Sequence, residues 1–252
     1  MSGAELLVGE LKRRGISFIA VLCGHGLNPL LYAAQRAGIR IIDVHNEQTA
    51  SYIADAYARL TRRVGICAVS AGVAHVNAFA GLLNAWFDCA PVVLITGASE
   101  LRNLGRGAFQ DVNQVHLAMP ICKRAELVTC PERIPHAVHE SFNVATAGYP
   151  GPVHLTIPLD VLSAEVDPNA IGMQSRIHSE VKQRTAADAQ LVREAVRMLA
   201  SASAPLIIAG TGAFYADAGD ELLSFASLSR IPIVTPIWDR GVVDYPSQYF
   251  LG

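Results

Sequence analysis

Short apolar runs alternate with helical patterns along the whole chain. Residues 18–22, 39–44, 64–69, 92–96 and 153–157 read as strands, and residues 6–13, 29–37, 47–60, 74–87 and 131–147 repeat their apolar positions at helical spacing. The strand runs are almost continuously apolar. A strand of that kind is covered on both faces, so the pattern predicts an α/β fold, a doubly wound parallel sheet with helices on either side. Gly15, Gly38 and Gly148 each follow a helical stretch, where a left-handed terminating residue is least costly for glycine.

Beyond Pro158 the composition changes. Residues 163–187, with Pro168, Gly172, Gln174, Ser175, Ser179, Gln183 and Thr185, hold few large apolar side chains and read as a linker. A new alternation follows, with a helix at 188–201, a strand at 206–209, a helix at 216–229 and a strand at 231–235. Two strands fall short of the usual five or six in a sheet. The expected organisation is therefore a first domain at 1–162, a linker at 163–187, and an incomplete second α/β domain at 188–252, the chain being part of a longer polypeptide.

Charge and composition narrow the function classes. The 252 residues carry 20 basic and 22 acidic side chains, a net charge of −2, and 51% hydrophobic residues. That excludes a disordered chain and leaves no basic footprint for nucleic acid. The odd set Cys23, Cys67, Cys89, Cys122 and Cys130 contains no CxxC, which fits a reducing compartment, and residues 1–15 read as an amphipathic helix instead of an export signal; a cytoplasmic protein is expected. Residues 64–87 hold no acidic or basic side chain, long enough to raise the question of a membrane span. Ser70, Gly72, His75, Asn77 and Asn84 within it argue instead for a buried strand followed by a helix with almost no solvated face. On that helix Ala74, Ala78, Gly81 and Ala85 form a ridge of small side chains, expected to pack against a second domain or subunit; a central helix of a single domain is the other reading.

Several residues could carry chemistry. Glu47 falls in the first turn of the third helix, directly after a strand, and so at the carboxyl edge of the sheet where open α/β folds bind ligands. Spacing alone equally allows a carboxylate that merely complements the helix dipole behind Asn46. Gly210-Thr211-Gly212 is an incomplete dinucleotide fingerprint or a plain strand-to-helix turn. His136 and His139 lack a third metal ligand nearby, and Asp111 and Glu100 lack paired-carboxylate spacing.

Taken together, His45-Asn46-Glu47-Gln48 with Ala56-Tyr57-Ala58-Arg59, Ser70-Ala71-Gly72 with Asn77, the run from Pro91 to Gly97, Ala108-Phe109-Gln110, and the run from Gly151 to Pro158 resemble the amino-terminal, pyrimidine-binding domain of thiamine-diphosphate-dependent enzymes. The closest group is acetolactate synthase, oxalyl-CoA decarboxylase and benzaldehyde lyase. The resemblance covers residues 1 to about 165, and residues 188–252 resemble the start of that family's central, Rossmann-like domain. It implies that Glu47 is catalytic, hydrogen-bonding N1′ of the cofactor's aminopyrimidine so that the thiazolium C2–H is activated for work on a 2-oxo acid, acyloin or acyl-CoA carbonyl. It further implies Gly24, Gly26, Gly72 and Asn77 as cofactor-binding, and His25, Asn28, Phe109 and Gln110 as substrate-lining; His25 could instead cap the following helix, and Phe109 and Gln110 could be ordinary loop packing.

The family holds the cofactor's diphosphate through Mg²⁺ on a carboxyl-terminal domain, with a Gly-Asp-Gly motif and paired asparagines. This chain has Ala218-Gly219-Asp220-Glu221 and no such pair, so no metal ligand is assigned and the 252 residues alone are expected to be inactive. Ser70-Ala71-Gly72-Val73-Ala74 also departs from the family's Thr-Ser-Gly-Pro-Gly, and Ala56 from its glycine, which leaves the substrate open, as it leaves FAD or ADP in the central domain. A homodimer or homotetramer is implied, with a small-molecule substrate and neither nucleic acid nor membrane as partner. The rival reading is a non-catalytic nucleotide-binding or regulatory α/β protein.

Overall fold

A computed structural model describes residues 1–167, 186–244 and 246–252. The chain forms two compact units, one before and one after the stretch from 168 to 185. Most of the expected linker lies outside the described residues. Its first residues do not: Gly3 N–H donates to the Ala164 carbonyl and Val166 N–H to the Met1 carbonyl, so the chain stays packed on the first unit past residue 162.

In the first unit α1 (Gly3–Arg13) leads to β1 (Phe18–Leu22), α2 (Asn28–Arg36), β2 (Arg40–Asp43), α3 (Glu47–Thr61) and β3 (Gly65–Val69). Then come α4 (Val73–Asn77), α5 (Phe79–Phe87), β4 (Val92–Ala98), α6 (Gln114–Ala118), β5 (Arg124–Leu127), α7 (Ile134–Thr146), β6 (Val153–Pro158) and α8 (Leu159–Ser163). The six strands form one parallel sheet in the order β2-β1-β3-β4-β6-β5.

Period-2 alternation divides each central strand between two cores. Ile19, Val21, Ile66, Ala68, Val93, Ile95 and Leu155 meet α1, α2, α7 and α8 on one face. Ala20, Cys67, Val69 and Leu94 meet α3 and α5 on the other, through Ala50, Ala54 and Leu82. Each fully buried Leu or Ile contributes about 1.5–3 kcal/mol. Gly15, Gly38 and Gly148 take φ of 74°, 77° and 57°, the left-handed ends their positions called for.

Three expectations need correction. The helix expected over 74–87 is divided into two, α4 and α5, at Ala78, whose ψ is −12°. The small ridge on it is buried, but against α3 of the same unit: a Cβ at Gly81 would lie 2.3 Å from Ser51 Oγ. The side of α4 and α5 turned to solvent carries Val73, Val76, Leu83, Trp86 and Phe87. And β5, an edge strand reading Arg-Ala-Glu-Leu, was not foreseen, because its polar positions break the apolar run.

The second unit holds α9 (Ala189–Ser201), β7 (Ile207–Ile208), α10 (Thr211–Ala216), α11 (Gly219–Ser229) and β8 (Ile233–Val234), with β7 and β8 parallel. The helix expected over 216–229 starts earlier and is interrupted at Asp217, which adopts φ 58°. No helix among the described residues is long and apolar enough to cross a membrane.

Candidate active site

The carboxyl ends of β1, β2, β3 and β4 bring four loops together. Asn46 caps α3, its side chain accepting from Gln48 N–H at 2.8 Å, which places Glu47 at the first helical position. Across from it, Asn77 at the end of α4 donates through Nδ2 to Glu47 Oε2 at 3.1 Å. Among the described residues no protein donor reaches the other carboxylate oxygen, and the half-buried side chain opens toward solvent. The positive end of the α3 dipole favours negative charge here.

Beside this pair the β1–α2 loop runs close under the β3 and β4 loops. A Cβ at Gly24 would lie 2.7 Å from Ser70 Cβ, and one at Gly26 would lie 2.8 Å from Ala98 N. At Gly72 the backbone has φ 61° and ψ −111°, and a Cβ would lie 2.7 Å from Gln110 Cβ; only glycine meets both demands. Gln110 itself has φ 57°, an unusual conformation for a residue other than glycine.

A chain of polar contacts joins His25, Phe109 and Gln110. Ser70 Oγ lies 3.2 Å from both the His25 carbonyl and Gln110 Oε1. Ser99 Oγ donates to the Phe109 carbonyl at 3.1 Å and lies 3.1 Å from His25 Nε2. Because the serine has a single proton, His25 must be the donor to it, which assigns the hydrogen to Nε2 and leaves Nδ1 as the acceptor. The Phe109 ring, 70% exposed, stands edge-on to the imidazole with centroids 5.5 Å apart. His25 therefore does not cap α2, whose capping residue Leu27 has no side-chain bond.

Asn28 goes elsewhere. It starts α2 and accepts from Cys23 Sγ at 3.6 Å, on the wall of a separate cleft shared with Tyr32 and Arg40. Two further residues, Ser99 and Gln114, belong to the site without any sequence signal beyond Asn113 as a helix-capping residue before Gln114. On the inner side of α4, His75 is buried and stacked on His154 of β6, with ring centroids 4.4 Å apart.

No group of side chains among the described residues can hold a metal ion. In the second unit Thr211 Oγ1 donates to Asp239 Oδ1 at 3.0 Å, and that buried carboxylate lies against the Gly210 turn. Its charge opposes a diphosphate there.

The sheet and its converging loops define a parallel α/β domain with one carboxylate, Glu47, set among closely packed loops. A family model described as "Thiamine pyrophosphate enzyme, N-terminal TPP binding domain" matches residues 1–117, and "Thiamine pyrophosphate enzyme, central domain" matches residues 192–252. The acetolactate synthase of Arthrospira platensis is 33% identical over 258 residues, covering 100% of this chain and 44% of that protein. The probable acetolactate synthase large subunit of Methanocaldococcus jannaschii is 31% identical over 242 residues, 96% of this chain and 41% of that protein. Human 2-hydroxyacyl-CoA lyase 1 is 31% identical over 252 residues, 100% of this chain and 43% of that protein. The chain belongs to the thiamine-pyrophosphate-dependent enzymes. It spans less than half the length of these curated relatives.

Proposed function

We propose that this chain is the pyrimidine-binding part, with the opening of the central domain, of an enzyme that makes or breaks a carbon–carbon bond next to a carbonyl. Its substrate is a 2-oxo acid, an acyloin or a 2-hydroxyacyl-CoA thioester. The observation that carries the reading is the Glu47 carboxylate, held from one side by Asn77 and open on the other. An acceptor so placed fits the N1′ edge of an aminopyrimidine. When bound, thiamine diphosphate supplies a thiazolium carbon that takes up the electron pair released beside the carbonyl.

The chain's own residues do the rest. Glu47 holds the hydrogen bond at N1′, and Asn77 keeps one of its oxygens from rotating away. The tight backbone at Gly24, Gly26 and Gly72 shapes the wall beside the ring. His25, through Nδ1, offers an acceptor to a substrate hydroxyl, while Phe109 and Gln110 narrow the approach. Mg²⁺ and the diphosphate fall to a domain outside these residues, so the chain alone is inactive. The exposed apolar set Val73, Val76, Leu83, Trp86 and Phe87 beside Asn77 supports a homodimer or homotetramer in which a second subunit closes the site. Five cysteines with no CxxC spacing fit a cytoplasmic setting.

The test uses the longer polypeptide. Glu47→Gln should slow C2–H/D exchange of bound thiamine diphosphate by a factor on the order of 10² or more while the circular dichroism stays unchanged. An exchange rate equal to wild type removes Glu47 from this role.

A further inference from the structure

We propose that Gln114 is a positioning residue whose single amide clamps the backbone of two loops of the site, and so sets where Asn77 and His25 stand relative to Glu47. Its catalytic consequence rests on the thiamine diphosphate reading above; the clamp itself does not.

Gln114 is 4% exposed, and both ends of its side chain are used. Oε1 accepts from Gly72 N–H at 3.0 Å and Nε2 donates to the Gly97 carbonyl at 3.0 Å, both bonds buried. Gly72 is the residue before α4, in a conformation with no side-chain cap, and α4 ends in Asn77, the donor to Glu47. Gly97 is the point where β4 touches the β1–α2 loop: a Cβ there would lie 2.7 Å from the His25 carbonyl. Gln114 also opens α6, four positions after Gln110, so the loop bearing Phe109 and Gln110 ends at the same anchor. One planar group thus ties the Asn77 side of the pocket to the His25 side.

The chemistry is specific to an amide. A donor and an acceptor on one arm are needed, since a backbone N–H must be satisfied at one end and a carbonyl at the other. Glutamate keeps the acceptor for Gly72, and beside the Gly97 carbonyl it keeps a donor only in its protonated form; methionine, of similar length, keeps neither.

Two variants, Gln114→Met and Gln114→Glu, decide the matter, first in this chain by amide hydrogen exchange at Gly72. Exchange at Gly72 should quicken about 100-fold in Gln114→Met and stay within about threefold of wild type in Gln114→Glu. Gly72 exchange as slow as wild type in a folded Gln114→Met overturns the clamp. If Gln114→Met does not fold, Gln114→Glu decides alone: a protected Gly72 supports the clamp and a rapidly exchanging one overturns it. In the longer polypeptide, the half-saturating concentration of thiamine diphosphate with Mg²⁺, read by tryptophan fluorescence, should rise about tenfold in Gln114→Met and return to within about threefold in Gln114→Glu. Equal weakening in both variants overturns positioning through Gly72, because a general packing defect gives no such rescue. A wild-type protein that binds no thiamine diphosphate sinks the functional reading instead, and the exchange result at Gly72 still judges the clamp.

Discussion

His75 gives the fold a measurable acid sensitivity. The imidazole is fully buried on the inner side of α4, stacked on His154 and edge-on to Phe79, and neither ring nitrogen has a hydrogen-bond partner. Burial disfavours its charged form and holds its pKa down to about 4, against an ordinary value of 6.5. The unfolded chain therefore binds a proton near pH 6.5 that the folded chain refuses until about pH 4, so stability falls as pH drops between these values and levels off below. At about 1.36 kcal/mol per pH unit the full loss is about 3 kcal/mol, of which about 2 kcal/mol has gone by about pH 5. His154, pushed the same way by burial and by His75, adds to the slope. The perturbation is His75→Leu, which removes the unpaired nitrogens at similar volume. Urea unfolding at about pH 7.5 and about pH 5 should show wild type losing about 2 kcal/mol more than the variant over that interval. Equal losses would mean that His75 titrates normally, and the buried neutral pair would be refuted.

Two further outcomes test the helix pair and the site. Gly81→Ala should destabilise by about 1–3 kcal/mol despite alanine's better helix propensity, since its Cβ would fall 2.3 Å from Ser51 Oγ; a higher urea midpoint for the variant would show that α3 and α5 do not approach so closely. Asn77→Ala removes an exposed contact and should leave stability within about 0.5 kcal/mol, yet weaken thiamine diphosphate binding by the longer polypeptide about tenfold, as the loss of a hydrogen bond to a charged group requires; unaltered affinity in titration would free Glu47 from dependence on Asn77.

What was legible in the sequence follows from the range of the interactions. Strands that are apolar on both faces announce themselves, and β1 was placed to the residue. The edge strand β5 is half-buried along its length and sets Arg124 against Glu126 as an ion pair, and so shows no apolar run. The small ridge on α4 and α5 announced a close helix approach but not its partner, because small side chains specify a distance and not an identity. Glu47 was legible as the first residue after a capping asparagine. Gln114 was not, since its two partners are backbone groups 42 and 17 residues away, and nothing local in the sequence marks a side chain that will bond to distant peptide groups.

The helix that carries Glu47 is held in register by polar contacts, not only by the ridge of small residues. Glu47, Ser51, Asp55 and Arg59 recur every fourth position along one side of α3, and Asn77, Gly81, Asn84 and Asp88 face them from α4, α5 and the end of α5. Asn84 Nδ2 donates to Asp55 Oδ2 at 2.8 Å and to Asp88 Oδ2 at 3.0 Å, and Arg59 reaches the same Asp88 oxygen at 2.7 Å. Asp55 is costly to keep there: burial raises its carboxyl pKa above the ordinary range, and its other oxygen is unpartnered. An apolar seam would tolerate sliding by a turn, about 5.4 Å, with little loss of contact. This seam does not, because such a slip would part Asn84 from Asp55 and Arg59 from Asp88 and drive Ser51 against a larger neighbour than Gly81. The register is thus over-determined at the end of α3 remote from the pocket, and the same alignment brings Asn77 within 3.1 Å of Glu47 at the other end, where one hydrogen bond between a half-buried and an exposed side chain would be too weak to set it alone.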